Sequence, residues 1–444
     1  MDAPATGNLI SAAAVVQLAT GLTVTDVGPT LGEGPIALKH SRGTVLLDEG
    51  ALEKHLLFLG SIGSGKTNAI FQAVHELRRT MTDKDVMVIF DSKGDYLAEF
   101  YDEDKDDKVI SSKGTDRYNH VRWNLFRDIR FKTDSADAVI QSSNEVTKTL
   151  FDEVEQRSKD LFFPYAARDI TQAVFVALTR KLDPLVPTNA DIRRYLYDAD
   201  LQDLRELLSD YPDLRGALQY ISLDTGQTQG VLSTIKIMVQ DLFRGPFGTL
   251  GDFSIREFVS QKGSSALFVE YEIESGRTLT PIYRVLCDLA IKEALSRQRS
   301  EGNVYFIIDE FSLLPNLYLL ESGLNFGRSL GVRFVVGTQN VSQVYEGYGR
   351  ERGLSILASF GSVFIFRLYD SASRIFASDR YGANLSKVQT MHLSPGVRTT
   401  AEQVISGRVI EDWHIAALGT GQAIVSLHGC GPPRLVQFRP YQGE

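Results

Sequence analysis

The sequence predicts an α/β protein, in which a mainly parallel sheet carries a phosphate-binding loop and is interrupted by an inserted all-α domain. Three observations point there. Residues 55–78, HLLFLGSIGSGKTNAIFQAVHELR, pass from an apolar run through a glycine loop into an amphipathic pattern, which is the strand–loop–helix setting of a P-loop. Apolar runs of strand length recur at 85–91, 266–269, 304–308, 334–336, 363–366 and 423–427, with helical stretches between most of them; alternation of that kind builds a parallel sheet. From about residue 133 the strand signals stop and the periodicity becomes helical. The predicted division is 1–133 with 247–444 for the nucleotide-binding domain and 134–246 for the insertion.

Taken in order, residues 35–38 and 43–47 read as short strands of a small sheet beside the loop. His55 to Leu59 is a buried strand, and Ile70, Phe71, Val74 and Leu77 recur at helical spacing after the loop. The run 85–91 is apolar almost throughout and ends in Asp91, followed by Ser92-Lys93-Gly94-Asp95; strands apolar on both faces belong to sheets covered by helices. Residues 102–108, Asp-Glu-Asp-Lys-Asp-Asp-Lys, read as a solvated loop tip. Within the insertion, 166–178 and 231–243 are helical, with breakers at Pro184, Pro187 and Pro212. The insertion holds 18 acidic and 12 basic residues, so −6 of the net −9 is concentrated there. Such a charge fits a solvated helical surface and a docking site for a basic partner equally well.

A chain of 444 residues exceeds one simple core. Its two cysteines, Cys287 and Cys430, supply neither a disulfide framework nor a C-x-x-C metal signature, which points to a reducing, cytoplasmic location. The stretch from Leu9 to Val24 is shorter than the ~20 residues a bilayer needs and contains Gln17, Thr20 and Thr23. No positive segment precedes it, so neither a signal peptide nor a transmembrane anchor is expected. A net charge of −9 argues against a broad basic surface and leaves any DNA to a few local loops. The seven histidines show no metal-ligand spacing, and no nucleophile elbow is present.

The chemistry of the loop follows from its residue types. Gly60, Ser61, Gly63, Ser64 and Gly65 let the backbone wrap a phosphate at the positive end of the following helix. Lys66 then reaches the β and γ phosphates, and the Thr67 hydroxyl faces Mg²⁺, so the loop is built for a nucleoside triphosphate, ATP in the ATPase reading that follows. The run 304–308 delivers Asp309 and Glu310 at a strand end, where ligands of such sheets bind. Asp309 is placed to hold the metal, and Glu310 to activate the water that attacks the γ-phosphate. Asp91 and Asp95 stay outside the catalytic set, since strand-end acids often cap a neighbouring helix.

With these residues in place the chain resembles the type IV secretion coupling proteins, the conjugative DNA-transfer ATPases within the wider septal-translocase and RecA-like group. The resemblance covers about residues 30–440 and rests on the loop, Asp91-Ser-Lys-Gly-Asp95, Trp123-Asn-Leu-Phe126, the helical insertion, Asp309-Glu310, Gly327-Arg328, and the stretch Gly337-Thr-Gln339 through Gln343 to Tyr348-Gly349. It implies a RecA-like fold, a homo-hexameric ring, DNA bound without sequence preference in its channel, and contacts with a relaxase or other secreted protein and with secretion-channel components. It also implies that Arg328 serves the neighbouring subunit's nucleotide and that Gln339 senses the γ-phosphate or attacking water. Two departures stand out. Family members usually begin with transmembrane helices and this sequence shows none, which leaves two expectations, a soluble member held peripherally at the inner membrane through partners or a chain trimmed of its anchor; and Ser92 stands where the family often has proline. A DNA-processing translocase and a nucleotide-gated receptor for secreted proteins are the alternative functions.

Overall fold

The computed structural model describes residues 16–19, 25–26 and 28–443, except 114–116, 134, 184, 262, 299–300 and 395–396; for 16–19, 25–26, 386–394 and 397–405 it describes the backbone alone. The predicted N-terminal stretch 9–24 therefore lies outside the described residues save for a short backbone piece. Among the described residues no helix is long and apolar enough to cross a membrane.

Ten strands form the central sheet: β1 (Thr25–Asp26), β2 (Leu56–Leu59), β3 (Val86–Asp91), β4 (Lys108–Ile110), β5 (Ala266–Glu270), β6 (Val304–Ile308), β7 (Val332–Thr338), β8 (Ser362–Ile365), β9 (Gln422–Ser426) and β10 (Arg434–Gln437). Their spatial order is β1-β10-β9-β8-β2-β7-β6-β3-β5-β4. The seven strands from β8 to β4 run parallel, whereas β9 pairs antiparallel with both β8 and β10. Each apolar run singled out in the sequence is a strand of this sheet. The loop strand β2 is separated from the acid-bearing strand β6 by β7 alone, so both strand ends and the end of β7 open on one edge.

Alternating side chains give each strand two faces, and the sheet separates two apolar clusters. Leu57, Val88, Ile308 and Val336 pack with Val146, Leu150, Phe175 and Val239 of the helical segment. Leu56, Phe58, Met87 and Val335 pack with Ile70, Val74 and Leu77 of the helix Lys66–Thr80 and with Leu38 and Val45. The last two belong to the predicted small sheet, which is present as Thr30–Leu31, Ile36–His40 and Gly43–Leu47. Between Ala136 and Leu242 every described element is helical, including long helices at Ala136–Arg157, Phe162–Lys181 and Gly226–Leu242. Buried polar groups tie the residues that flank the segment to one another and to Pro187 within it. Asn124 caps the helix Leu125–Arg130 and donates to the carbonyls of Pro187 and Gly251, both at 3.0 Å. Buried Asp128 accepts from Trp123 Nε1 and Ser254 Oγ, each at 2.6 Å.

Three features differ from the sequence reading. The charge run at 102–108 is not simply a solvated tip: Asp107 is fully buried, ion-paired to Arg78 at 2.7 Å, and accepts from Ala266 N. Its carboxylate fixes the short edge strand β4, which the run conceals. His55 does not belong to β2. It adopts a left-handed φ of 59°, is buried, and bonds Leu324 O and Phe334 N through its two ring nitrogens; burial lowers its pKa to about 4. A long antiparallel hairpin, Ala383–Ser394 with Val397–Arg408, joins Val16–Ala19 in a separate sheet.

Candidate active site

The loop leaves β2 under tight backbone constraint. Gly60 N donates to Thr338 O at 3.1 Å and Ser61 N to Arg367 O at 3.0 Å, which anchors the loop to β7 and to the residues after β8. A Cβ on Gly60 would lie 2.6 Å from Ser64 Oγ and 2.7 Å from Phe366. Gly65 has φ +99°, and a Cβ there would lie 2.9 Å from Gly421, whose own N–H donates to Ser64 O at 2.8 Å. The conformation of the loop is thus set from the far end of the chain. Gly63, with φ +72°, faces open space.

The end of β6 brings its acids to this loop. Lys66 Nζ donates to Asp309 O at 2.7 Å and to Asp309 Oδ1 at 2.9 Å, and Thr67 Oγ1 donates to Asp309 Oδ2 at 3.0 Å. The Lys66 and Asp309 side chains are 8% and 6% exposed, so this is a buried ion pair. Glu310 is held at both oxygens, by Gln339 Nε2 at 2.5 Å and Ser312 Oγ at 2.7 Å. Asp309, Glu310 and Gln339 line one cleft of about 350 Å³ together with Gly60 to Asn68, Ser92, Lys93 and Thr420. Within that cleft the buried Ser64 hydroxyl has no hydrogen-bond partner among the described residues.

The structure gathers Gly60, Ser61, Gly63, Ser64, Gly65, Lys66, Thr67, Asp309, Glu310 and Gln339 in this cleft. Arg328 is not there. It precedes β7, about 20 Å from Gln339 at ~3.3 Å per strand residue, and its exposed guanidinium pairs with Glu53 at 3.0 Å. Asp91 is the expected cap: its buried carboxylate accepts from the N–H groups of Lys93, Gly94 and Leu97, and burial raises its pKa. Residues that the sequence reading passed over complete the site. Lys93 lines the cleft with no ion-pair partner among the described residues. Gly337, the first residue of a quoted motif, would place a Cβ 2.4 Å from Asp309 O and 2.9 Å from Lys66 Nζ. Thr420 and Gly421 sit in a glycine turn whose distance in sequence hid their role.

A family model describing the type IV secretion-system coupling protein DNA-binding domain matches residues 39–417. The chain belongs to that family. No curated protein matches the coupling protein described here at a significant level. Among solved structures, the bacterial conjugative coupling protein TrwBdeltaN70, in a trigonal form with sulphate, is 20% identical with a TM-score of 0.74 over 96% of each chain. The plasmid coupling protein TrwB in complex with ADPNP is 20% identical with a TM-score of 0.73, covering 100% of this chain and 96% of that one. VirB4 of Thermoanaerobacter pseudethanolicus is more distant, at 13% identity and a TM-score of 0.53 over 93% and 98% of the two chains. These likenesses establish the fold of this coupling protein as that of a P-loop nucleotide-binding α/β protein.

Proposed function

We propose that this coupling protein is an ATP-driven DNA translocase of type IV secretion that recruits substrate DNA with its attached protein. The observation that carries the reading is the convergence of Lys66, Thr67, Asp309, Glu310 and Gln339 on one cleft in a chain of this family. Solved structures of the plasmid coupling protein TrwB hold ADP with Mg²⁺ and ADPNP, which supports the same ligands here. The cleft fits them. The unpartnered Ser64 hydroxyl and the open face of Gly63 suit phosphate oxygens, and the Thr67 hydroxyl and Asp309 carboxylate, 3.0 Å apart, are the hard oxygen donors that Mg²⁺ takes. Mg²⁺ bound there offsets charge on the phosphates.

The protein's own residues do the rest. Lys66 exchanges part of its contact with Asp309 for the β and γ phosphates, Glu310 orients and deprotonates the attacking water, and Gln339 holds the Glu310 carboxylate in register. Arg328 stands too far from its own cleft and acts on the neighbouring copy's nucleotide in a ring of six. The segment 134–246 acts as a domain in its own right and docks the basic protein that travels with DNA, its net charge of −6 matching such cargo. Attachment to secretion-channel components at the inner membrane follows from that role.

The deciding experiment measures ATP turnover with and without single- and double-stranded DNA. Stimulation by DNA is expected. Negligible turnover, or stimulation by secreted protein alone, would replace the pump with a nucleotide-gated receptor.

A further inference from the structure

The segment that leaves Glu310 runs through one residue held in an unfavourable backbone region. Asn316 has φ +57°, a left-handed conformation that costs most residues energy and glycine none. Glycine would satisfy the backbone, so what asparagine adds is its amide. That amide is bonded at both of its polar atoms: Nδ2 donates to Asp152 Oδ2 at 2.9 Å, and Oδ1 accepts from Arg352 Nη1 at 2.6 Å. The Asn316 carbonyl accepts from Arg284 Nη2 at 2.9 Å, and the same buried arginine pairs with Asp152 at 2.8 Å. Asp152 lies on the helix Ala136–Arg157 of the insertion, Arg284 on Gly276–Ser296 and Arg352 on Arg350–Ala358. Three helices therefore meet at one residue, two of them at its side chain and the third at its backbone carbonyl.

The flanking residues are pinned as well. Tyr348 Oη donates to Leu314 O at 2.8 Å and accepts from Leu317 N at 3.3 Å, while Asp288 accepts from Tyr318 N and Leu319 N at 3.1 and 3.0 Å. At the other end of the segment Ser312 holds Glu310, which Gln339 also holds. An unbroken series of bonded contacts thus leads from the cleft to the insertion, the kind of network through which two sites are coupled.

We infer that Asn316 is a positioning residue for Glu310 and the point at which the helical insertion is tied to hydrolysis. The inference rests on the reading of Glu310 as the residue that activates water. A displacement of the helix Ala136–Arg157 moves Asp152, and through Asn316 it moves the segment that ends at Glu310. Cargo or load on the insertion then changes the rate of hydrolysis without touching the nucleotide.

The test uses the full chain. Asn316→Gly keeps the backbone and deletes both amide bonds; Asp152→Ala deletes the insertion's end of the link. Both are expected to lower kcat for ATP about tenfold or more, since small misplacements of a reacting group are costly, with KM changed by no more than about twofold. Both are also expected to raise deuterium exchange at amides 311–319 and 150–157 together. Unchanged kcat in Asn316→Gly, or faster exchange confined to 311–319, would overturn the inference. A failure of the underlying reading shows separately, as equal turnover in the parent and Glu310→Gln; the joint change in exchange then decides alone whether Asn316 links the two segments.

Discussion

Replacing Gly337 with alanine adds one methyl group beside the Lys66–Asp309 ion pair. Its carbon would lie 2.4 Å from Asp309 O, 2.9 Å from Asp309 Oδ1 and 2.9 Å from Lys66 Nζ, all inside the ~3.5 Å at which such atoms make ordinary contact. The same atoms form the Lys66–Asp309 bonds at 2.7 and 2.9 Å. Asp309 O cannot retreat freely, because β6 is hydrogen-bonded to β7 on one side and β3 on the other. Relief must come from a shift of about 1 Å in Lys66, Asp309 or both. Overpacking of this size costs about 1–3 kcal/mol of stability, and a 1 Å misplacement of reacting groups costs about 10²-fold in rate, equivalent to about 2.7 kcal/mol of barrier. ATP turnover and denaturant unfolding measured side by side separate the two effects. Gly216→Ala, where an added Cβ meets nothing within 4 Å, serves as the control and should turn over normally. Parent-like turnover in Gly337→Ala would refute the claim that this ion pair must be held so closely.

Glu310→Gln should retain nucleotide binding and lose turnover, whereas Lys66→Ala should lose binding; titration with a fluorescent nucleotide and a phosphate-release assay distinguish them, and normal turnover in Glu310→Gln would remove it as the base. Oligomers mixing Arg328→Ala with Glu310→Gln should recover some activity, because a mixed interface can pair an intact arginine with an intact acid; demonstrably mixed but inactive rings would count against action in trans. Asp128 has its pKa raised to about 6 by burial, against lowering by Ser254 and Arg256 N. Because the folded state holds this proton better than the unfolded one, the associated stability is full below about pH 4 and is lost as pH rises through about 6, at about 1.4 kcal/mol per pH unit. Asp128→Asn should therefore remove about 3 kcal/mol of pH dependence between pH 4 and 6.5; denaturant midpoints with the same pH profile in both proteins would contradict this.

Much of the site could be read in the sequence because its signals are local. A P-loop, an apolar run and two strand-end acids each occupy a few consecutive residues, and backbone geometry converts such runs into strands ending at one sheet edge. What stayed hidden depends on distant partners. Asp107 carries a charge in a charged run, and only Arg78 and Ala266 N explain its burial. Gly337 looked like any strand glycine until Lys66 came to lie against it. The hairpin at 383–408 was passed over although Pro395-Gly396 is a turn signal, since the runs beside it are polar and lack the apolar alternation by which strands were sought. His55 reads as strand by its apolar neighbours, yet its left-handed φ keeps it out, so the strand begins one residue later, at Leu56.

The clamp on the phosphate loop has a consequence for how the protein is made. Thr420 donates to Gly63 O across 357 residues of sequence, and Gly421 fills the space beside Gly65. The loop strand β2 also lies between β7 and β8, which follow it by well over 250 residues. A ribosome adding roughly 5–20 residues per second therefore completes the helix after the loop many seconds before it supplies the strands on either side. During that interval β2 is an exposed apolar strand with both edges unpaired, the kind of segment that chaperones hold and that aggregates when they do not. A phosphate loop shaped by Thr420 and Gly421 takes its bound form only once those residues have been made, so adding ATP should rescue no nascent chain that stops short of them.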